Sequence, residues 1–150
     1  MKIAIAADHG GYTLKEQIRQ WLAEQGHDVV DFGCASAESV DYPEYAISVA
    51  REVGNGHFPL GILVCGTGIG MSITANKVAG VRAALCNDIY CAEHARKHND
   101  ANIVAIGGRV VAPETAIEIV KTFVTGRFEG GRHQRRVDRI MQIENEWGNH

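Results

Sequence analysis

Four segments carry side chains that could act in catalysis, and each follows a run of apolar residues. They are Asp8-His9-Gly10-Gly11, Cys65-Gly66-Thr67-Gly68-Ile69-Gly70, Asn87-Asp88 and Gly107-Gly108-Arg109. Together they offer a carboxylate, an imidazole, a thiol, an amide and a guanidinium. Glycines let backbone N–H groups approach an oxyanion closely, and the N-terminus of a helix strengthens that attraction. The segments therefore predict a site for an anionic, oxygen-rich small molecule.

The glycine loop, residues 65–70, does not match the common nucleotide-binding motifs. Its third glycine comes one residue too early for GxGxxG. The GK[ST] ending of a Walker A loop is absent, and Lys77 lies seven residues beyond Gly70. A dinucleotide or nucleoside triphosphate ligand is therefore not favoured.

Cys65 stands where an apolar run ends and a helix is predicted to begin. The positive end of a helix dipole and the nearby N–H groups favour the thiolate form of such a cysteine. An isolated cysteine is more often a small buried apolar residue, and we interpret Cys34, Cys86 and Cys91 in that way. The glycine loop that follows Cys65 favours a reactive thiol at this position alone.

Strand-like and helix-like segments alternate five times along the chain. The predicted strands are residues 2–6, 27–33, 61–65, 81–86 and 102–108. The predicted helices run from Thr13 to Gly26, from Asp41 to Gly54, from the glycine loop to about Val78, from Asp88 to His98, from Pro113 to Val124 and from His133 to Trp147. Thr13 with Glu16, and Asp41 with Glu44, have the spacing of capping boxes.

Strands that are apolar throughout and alternate with helices indicate a parallel sheet covered on both faces. We therefore predict one domain over residues 1–150, an α/β fold in the form of a three-layer α/β/α Rossmann-like sandwich. It has a five-stranded parallel sheet and an extra C-terminal helix. In such sheets the ligand crevice lies at the carboxyl ends of the strands, near the point where the strand order reverses. The strand order itself is not readable from the sequence.

His98 and Asn99 end the helix that begins at Asp88. That helix is about 15 Å long, so within one chain these two residues lie far from the Cys65 crevice. If they act on a ligand, they act in the site of a neighbouring subunit. The alternative is a histidine that only complements the negative end of the helix dipole.

The arginines of the C-terminal segment crowd into one helix. Arg132 and Arg136 are four residues apart, share one helical face and make a fork suited to a phosphate monoester. Arg135 and Arg139 have the same spacing, so geometry does not choose between the two pairs. Most arginines on such a helix simply face the solvent.

Composition excludes several functional classes. The chain has 150 residues, of which 45% are hydrophobic and 22% charged, as expected of a globular protein. No apolar run approaches the roughly 18 residues of a membrane span, and the N-terminal run is too short for a signal peptide. The net charge of −3 and the lack of aromatic residues among the arginines argue against nucleic acid. We predict a cytoplasmic protein with reduced cysteines.

Five motifs, in order, resemble the ribose-5-phosphate isomerase type B family. They are DHGG, CGTGIGMSITANK, RKHNDAN, GGRVV and EGGRHQRRV, and the resemblance extends along essentially the whole chain. The same family includes galactose-6-phosphate isomerase subunits and allose-6-phosphate isomerases. The resemblance implies a Rossmann-like fold, no metal and no organic cofactor. It also implies a homodimer, or a tetramer, whose active sites are shared between two subunits.

The resemblance also implies roles for individual residues. Cys65 is similar to the general base that moves a proton between C1 and C2 of the sugar, and His98 to the acid that opens the furanose ring, with Thr67 assisting. The implied substrate contacts are Asp8, His9, Asn99 and Arg109, the backbone donors Gly66, Thr67, Gly68, Ile69 and Gly70, and the phosphate pair Arg132 and Arg136. One branch of the family has a glutamate base where this chain has Met71, which places the chain with the cysteine branch.

The expected reaction is therefore the interconversion of D-ribose 5-phosphate and D-ribulose 5-phosphate through a cis-enediolate, a step of the pentose phosphate pathway. One alternative is an isomerase of a six-carbon sugar phosphate, allose 6-phosphate or galactose 6-phosphate. Another is a non-catalytic sugar-phosphate sensor. The thiol argues against a sensor, because a sensor needs the phosphate clamp but no base.

Overall fold

The computed structural model describes residues 1–148, which form five strands and six helices in alternation until the last two helices. The strands are β1 (Lys2–Ala7), β2 (Asp28–Asp31), β3 (Leu60–Cys65), β4 (Ala83–Leu85) and β5 (Ile103–Gly107). The helices are α1 (Tyr12–Glu24), α2 (Tyr42–Gly54), α3 (Ile69–Ala75), α4 (Ile89–Lys97), α5 (Pro113–Thr125) and α6 (Arg132–Gly148). Every predicted element is present, with ends that differ by a few residues.

The five strands form one parallel sheet in the order β2-β1-β3-β5-β4, which confirms the predicted sheet. After β1 the chain adds β2 on one side, and it then crosses to the other side of β1 to add β3. The strand order therefore reverses between β1 and β3. Asp8 and Cys65 stand at the carboxyl ends of these two strands, on the edge where a ligand crevice is expected.

Successive residues of β1 point to opposite faces of the sheet, as the two-residue period of a strand requires. Ile3 and Ile5 belong to one buried cluster, which also includes apolar residues of α1, α4 and α5. Ala4 and Ala6 belong to a second cluster, which includes residues of α2 and α3. Helices thus cover both faces, and the predicted three-layer α/β/α sandwich is confirmed.

The predicted extra C-terminal helix is α6, which packs against the amino end of the sheet next to β4. The Glu144 carboxylate accepts the N–H of Gly80 at 3.1 Å, and the Arg82 guanidinium contacts the sulfur of Met141 at 3.4 Å. Several apolar side chains of α6 remain exposed, including Trp147, which is 71% exposed. Like the other helices of residues 1–148, α6 is not long and apolar enough to cross a lipid bilayer.

The capping box predicted for Thr13 and Glu16 is wrong. The first helix begins before Thr13, and Gly11 occupies its N-cap position. The reason lies in the turn after β1, where Asp8 Oδ1 accepts the N–H groups of Gly10 at 2.9 Å and Gly11 at 3.1 Å. This carboxylate closes the turn before the chain reaches Thr13.

The two other predicted caps differ in outcome. Asp41 is the N-cap residue of α2, as predicted, but its side chain makes no capping hydrogen bond within the described residues. Asp88 caps α4 as predicted, since its Oδ1 accepts the N–H of Cys91 at 2.7 Å. The position of a helix start was therefore easier to predict than the contacts that stabilise it.

A lysine lies in the core, which the sequence analysis did not anticipate. The side chain of Lys15 on α1 is fully buried, and its Nζ is 2.9 Å from both carboxylate oxygens of Asp31 at the end of β2. The same Nζ donates to the carbonyl oxygen of Cys34 at 2.6 Å. A buried charge needs a partner of opposite charge and full hydrogen bonding, and these contacts provide both. Lys15 therefore fastens α1 to β2 and to the segment that follows it.

We expect Lys15→Met to lower the free energy of unfolding by about 3 kcal/mol, the low end for a broken buried ion pair, because Asp31 is partly exposed and stays hydrated. Urea unfolding measures the change. Lys97→Met is the matched control, because Lys97 is 40% exposed and pairs with Glu93 on one helix face. Similar small losses in the two variants would contradict the buried pair's structural role.

Candidate active site

The carboxyl ends of β1, β3 and β5 are neighbours, and hydrogen bonds between their loops hold them together. The Gly108 N–H donates to the carbonyl oxygen of Cys65 at 2.8 Å, and the Arg109 N–H donates to that of Gly66 at 3.0 Å. Asp8 joins the same group through its N–H, which donates to the carbonyl oxygen of β3 residue Val64 at 3.1 Å. Three of the four predicted segments are therefore parts of one site.

The glycine loop folds around the sulfur of Cys65. Its Sγ accepts the N–H of Gly68 at 3.1 Å, and only 5% of the residue is exposed. Gly68 has a φ of 83°, in the left-handed region that favours glycine. The Thr67 hydroxyl oxygen accepts the N–H of Ile69 at 3.2 Å, which closes the next turn. A sulfur at the head of a loop of N–H donors is suited to take a proton from carbon while the donors stabilise an oxyanion.

Asn87, which follows β4, joins the glycine loop to the end of β5. Its Oδ1 accepts the N–H of Gly107 at 2.8 Å, and its Nδ2 donates to the carbonyl oxygen of Thr67 at 3.2 Å. The sequence placed Asn87 at this edge but gave it no role. An amide, which both donates and accepts, directly after a strand was the available signal.

His9 and Arg109 border the same crevice. The His9 Nδ1 accepts the N–H of Val40 at 3.1 Å, which leaves the ring proton on Nε2 and so offers an N–H donor. The Arg109 guanidinium lies against the backbone, because a Cβ placed on Gly66 would be 3.3 Å from its Nη1. A similar atom on Gly10 would be 3.4 Å from its Cζ. The two glycines thus leave room for this cation beside the backbone.

A second group of predicted residues lies at the opposite edge of the sheet. His98 follows the last turn of α4, and its ring stacks on that of His133 in α6, with centroids 4.0 Å apart and planes 10° apart. Glu129 Oε1 is 3.4 Å from His98 Nε2 and 3.7 Å from His133 Nε2. Neither His133 nor Glu129 was predicted to have a role. Both stand inside the EGGRHQRRV motif, which was the available signal.

Arg132 and Arg136 flank His133 in the first turns of α6. Burial lowers the pKa of His133, and the positive charges of His98, Arg132 and Arg136 lower the pKa further, against the opposing effect of Glu129. Within residues 1–148 neither arginine forms a salt bridge, and both are exposed. Arg139 by contrast pairs with Glu146 at 3.1 Å. The pair chosen by resemblance is thus open to an anion.

His98, Glu129 and His133 are also a cluster of metal-ligand types. One ligand atom from each lies within 4.8 Å of the others. The two imidazoles stack face to face, however, so their in-plane lone pairs run side by side instead of converging on one ion. The geometry fits the sharing of protons around a carboxylate better than it fits metal coordination.

The structure does not bring the two groups together within one chain. Strand β3 has six residues and spans about 20 Å, and the two groups lie at its opposite ends. Cys65, Asp8, His9, Thr67 and Arg109 occupy the carboxyl edge, with the glycine loop. His98, Asn99, Arg132 and Arg136 occupy the amino edge. The distance of His98 and Asn99 from Cys65 was predicted from the length of their helix, whereas no position was predicted for Arg132 and Arg136.

We expect Gly68→Ala to destabilise the protein more than Gly56→Ala. Both glycines have a left-handed φ, of 83° and 80°, so alanine costs each about 1 kcal/mol in backbone strain. At Gly68 the new Cβ would also lie 2.6 Å from Leu85 Cδ1 and 3.0 Å from the backbone carbonyl carbon of Ile106. The strand backbone does not move aside as the leucine side chain does, so overpacking adds about 1–3 kcal/mol. At Gly56 the new Cβ would meet nothing within 4 Å. Urea unfolding measures the free energy of unfolding of each variant. Equal losses in the two variants would contradict close packing around Gly68.

The chain is similar to known proteins along most of its length. A model of the family described as Ribose/Galactose Isomerase matches residues 3–140. The ribose-5-phosphate isomerase B of Escherichia coli strain K12 is 50% identical over 143 residues, which are 95% of this chain and 96% of that protein. The D-erythrulose-4-phosphate isomerase of Pectobacterium atrosepticum is 42% identical over 147 residues, 97% of each chain.

A solved structure has the same fold along nearly its whole length. The ribose-5-phosphate isomerase B of Clostridium thermocellum superposes with a TM-score of 0.96 at 50% sequence identity. The match covers 98% of this chain and 99% of that one. Family model, sequence identity and fold agree, and the chain belongs to the ribose/galactose isomerase family of enzymes.

Proposed function

We propose that this enzyme interconverts D-ribose 5-phosphate and D-ribulose 5-phosphate, a reaction of the pentose phosphate pathway. The observation that carries the proposal is the Cys65 sulfur at the crevice between β1 and β3, where it accepts the Gly68 N–H at 3.1 Å. A base and a set of oxyanion donors on one loop are what an aldose–ketose isomerisation requires. The Escherichia coli relative, which carries the name of this activity, supports the choice of sugar.

In the proposed mechanism the Cys65 thiolate removes the proton from C2 of the open aldose. The electron pair forms the C1–C2 double bond, and O1 becomes the negative oxygen of a cis-enediolate. Backbone N–H groups of residues 66–70 stabilise that charge. The thiol then returns its proton to C1, while the proton of the C2 hydroxyl passes to O1, which leaves a ketone at C2. No atom is gained or lost overall.

The remaining proposed roles follow from what each group offers. His98 protonates the ring oxygen to open the furanose, and Thr67 assists from the glycine loop. Asp8, His9, Asn99 and Arg109 contact the sugar. Arg132 and Arg136 hold the phosphate as a positioning handle, which explains why the glycine loop needs no lysine. No metal or organic cofactor takes part in this scheme.

We propose further that two copies of the chain share each site. The separation of about 20 Å between the two groups supports this, because one pentose phosphate does not span it. A groove with a volume of about 800 Å³ beside α6 also supports it, since Asn99 and the exposed residues Ile140, Ile143 and Trp147 line it. A second copy seated there as a homodimer, alone or within a tetramer, would cover this apolar surface beside His98.

The cytoplasm is the proposed compartment. All four cysteines, which lie within the described residues, are free thiols, and Cys91 is exposed. Exposed free thiols are typical of a reducing compartment.

We expect Cys65→Ala to reduce kcat on ribose 5-phosphate by about 100-fold or more, with a KM that changes little, because the base is lost but the contacts remain. Steady-state kinetics measure both values. Cys86→Ala is the matched control. Burial, with a smaller effect of Cys91 and Asp88, raises the pKa of the Cys86 thiol to about 12, so that this thiol does not serve as a base. Near-normal turnover of Cys65→Ala would exclude the proposed base.

The same assay compares ribose 5-phosphate with allose 6-phosphate and D-erythrulose 4-phosphate. We expect kcat/KM to be highest for the pentose. A preference for another of these sugars would keep the proposed mechanism and change the proposed substrate. The Pectobacterium relative, which is named for D-erythrulose 4-phosphate, shows that relatives carry names of different sugars. Binding without turnover of any of the three would point to a sugar-phosphate sensor.

A mixing experiment tests the shared site. Cys65→Ala and His98→Ala chains, each inactive with cyclic sugar, are co-expressed with different tags. If every site combines Cys65 of one copy with His98 of the other, the mixed population regains about one quarter of wild-type activity, because half of the dimers are mixed and each has one intact site. No recovery in the purified mixed dimers would place both residues in a site of one chain.

A further inference from the structure

Glu129 is the one carboxylate in contact with both stacked histidines among residues 1–148, and the proposed mechanism gives it no role. Its Oε1 is 3.4 Å from His98 Nε2 and 3.7 Å from His133 Nε2. Half of the Glu129 side chain is exposed, whereas His133 is nearly buried. The Glu129 carboxylate is therefore placed to orient His98, and because it is half exposed, its replacement should not disturb the core.

Ring opening makes a specific demand on His98. A proton must pass from the imidazolium to the ring oxygen O4 while the C1–O4 bond breaks and its electron pair stays on O4. The O1 hydroxyl loses its proton to water, the C1=O1 carbonyl forms, and the imidazole takes up a proton from solvent before the next cycle. The donor nitrogen must point at O4, so the ring must be fixed in orientation and in tautomer.

Two contacts fix the His98 ring in this structure. Stacking on His133, with ring planes 10° apart, fixes the plane of the ring. The Glu129 carboxylate lies 3.4 Å from Nε2, within ion-pair distance, and its negative charge favours the rotation and the tautomer that place an N–H on that side. Nε2 then keeps its proton, and Nδ1 is the nitrogen that gives up a proton and regains it.

We propose that Glu129 is a positioning residue for ring opening, which holds Nε2–H of His98 so that Nδ1 delivers the proton to the ring oxygen. This inference rests on the proposed function, in which His98 is the acid. The lowered pKa of His133 supports the assignment, because a neutral His133 acts as the stacking partner and does not compete as the acid.

Other charges face the same rings. His94 lies edge-on to His98, with centroids 4.8 Å apart, and Glu93 and Lys97 form an ion pair on the same helix. Arg132 and Arg136 add positive charge beside His133. A change in overall charge at this surface would therefore also act on His98, and the experiment needs a control that separates charge from contact.

The test separates ring opening from proton transfer in Glu129→Gln. It uses ribose 5-phosphate, which is mostly a furanose and must be opened, with either hydrogen or deuterium at C2. The two directions of the reaction do not separate these steps, because the equilibrium constant sets the ratio of their kcat/KM values. We expect kcat/KM to fall at least about tenfold and the deuterium isotope effect on kcat/KM to fall toward 1, because ring opening then limits the rate before the C2 proton moves.

Glu93→Gln is the matched control, since it removes the same charge from the neighbouring helix face, and we expect it to leave kcat/KM and the isotope effect nearly unchanged. Glu129→Asp keeps the charge and should recover part of the loss with ribose 5-phosphate. Thermal unfolding of each variant verifies that the fold is intact, which the exposure of Glu129 predicts.

Each other outcome has a definite meaning. A lowered kcat/KM with an isotope effect well above 1, or no loss of kcat/KM, would overturn the role of Glu129. The same loss of kcat/KM and of the isotope effect in Glu93→Gln would reduce the effect to surface charge, and would overturn it as well. Inactivity of the wild-type enzyme with both pentose phosphates would instead refute the proposed function, which is a distinct result.

Discussion

The constraint on which this structure depends is the common direction of its five strands. In a parallel sheet every strand ends at the same edge, so the loops that follow β1, β3, β4 and β5 meet there without long connections. The return helices run the opposite way, and residues at their ends reach the other edge. The strand direction that assembles Cys65, Asp8 and Arg109 is thus the same feature that keeps His98 and Arg132 away from them. Dimerisation, as proposed, reconciles the two consequences.

Precision at the carboxyl edge comes from backbone contacts supported by a few side chains. Gly68 places its N–H on the Cys65 sulfur, and Asn87 ties that loop to the end of β5. His9 is oriented by the N–H of Val40, which belongs to the segment that Lys15 anchors through Cys34. The groups proposed to contact a ligand are therefore held in place by neighbouring residues that do not contact it. Such support keeps the distances between the site residues constant.

The fold could be predicted because its central strands β1, β3 and β5 are almost entirely apolar and its helices have clear periodicity. The carboxyl-edge residues followed from the same reasoning, since strand ends are visible in the sequence. Strand order was not visible, because it depends on which apolar faces pack together. The Thr13 cap failed because a carboxylate five residues earlier closes the turn first. Lys15 was missed because its partners Asp31 and Cys34 are distant in sequence, and Glu129 was missed because its contact with His98, 31 residues earlier, forms only in the folded chain.

Because Lys15 is buried, its amine should react with acylating reagents far more slowly than the exposed lysines of the native protein. Its amine is fully enclosed and bonded to a carboxylate and a carbonyl, so an acylating reagent reaches it only when α1 separates from β2. Exposed amines such as Lys97 react in the folded state. The rate at which Lys15 is acylated therefore reports how often the core opens, whereas the rate at which Lys97 is acylated reports only the reactivity of the reagent. Comparing the two lysines in one sample thus gives the opening rate of the core with an internal reference.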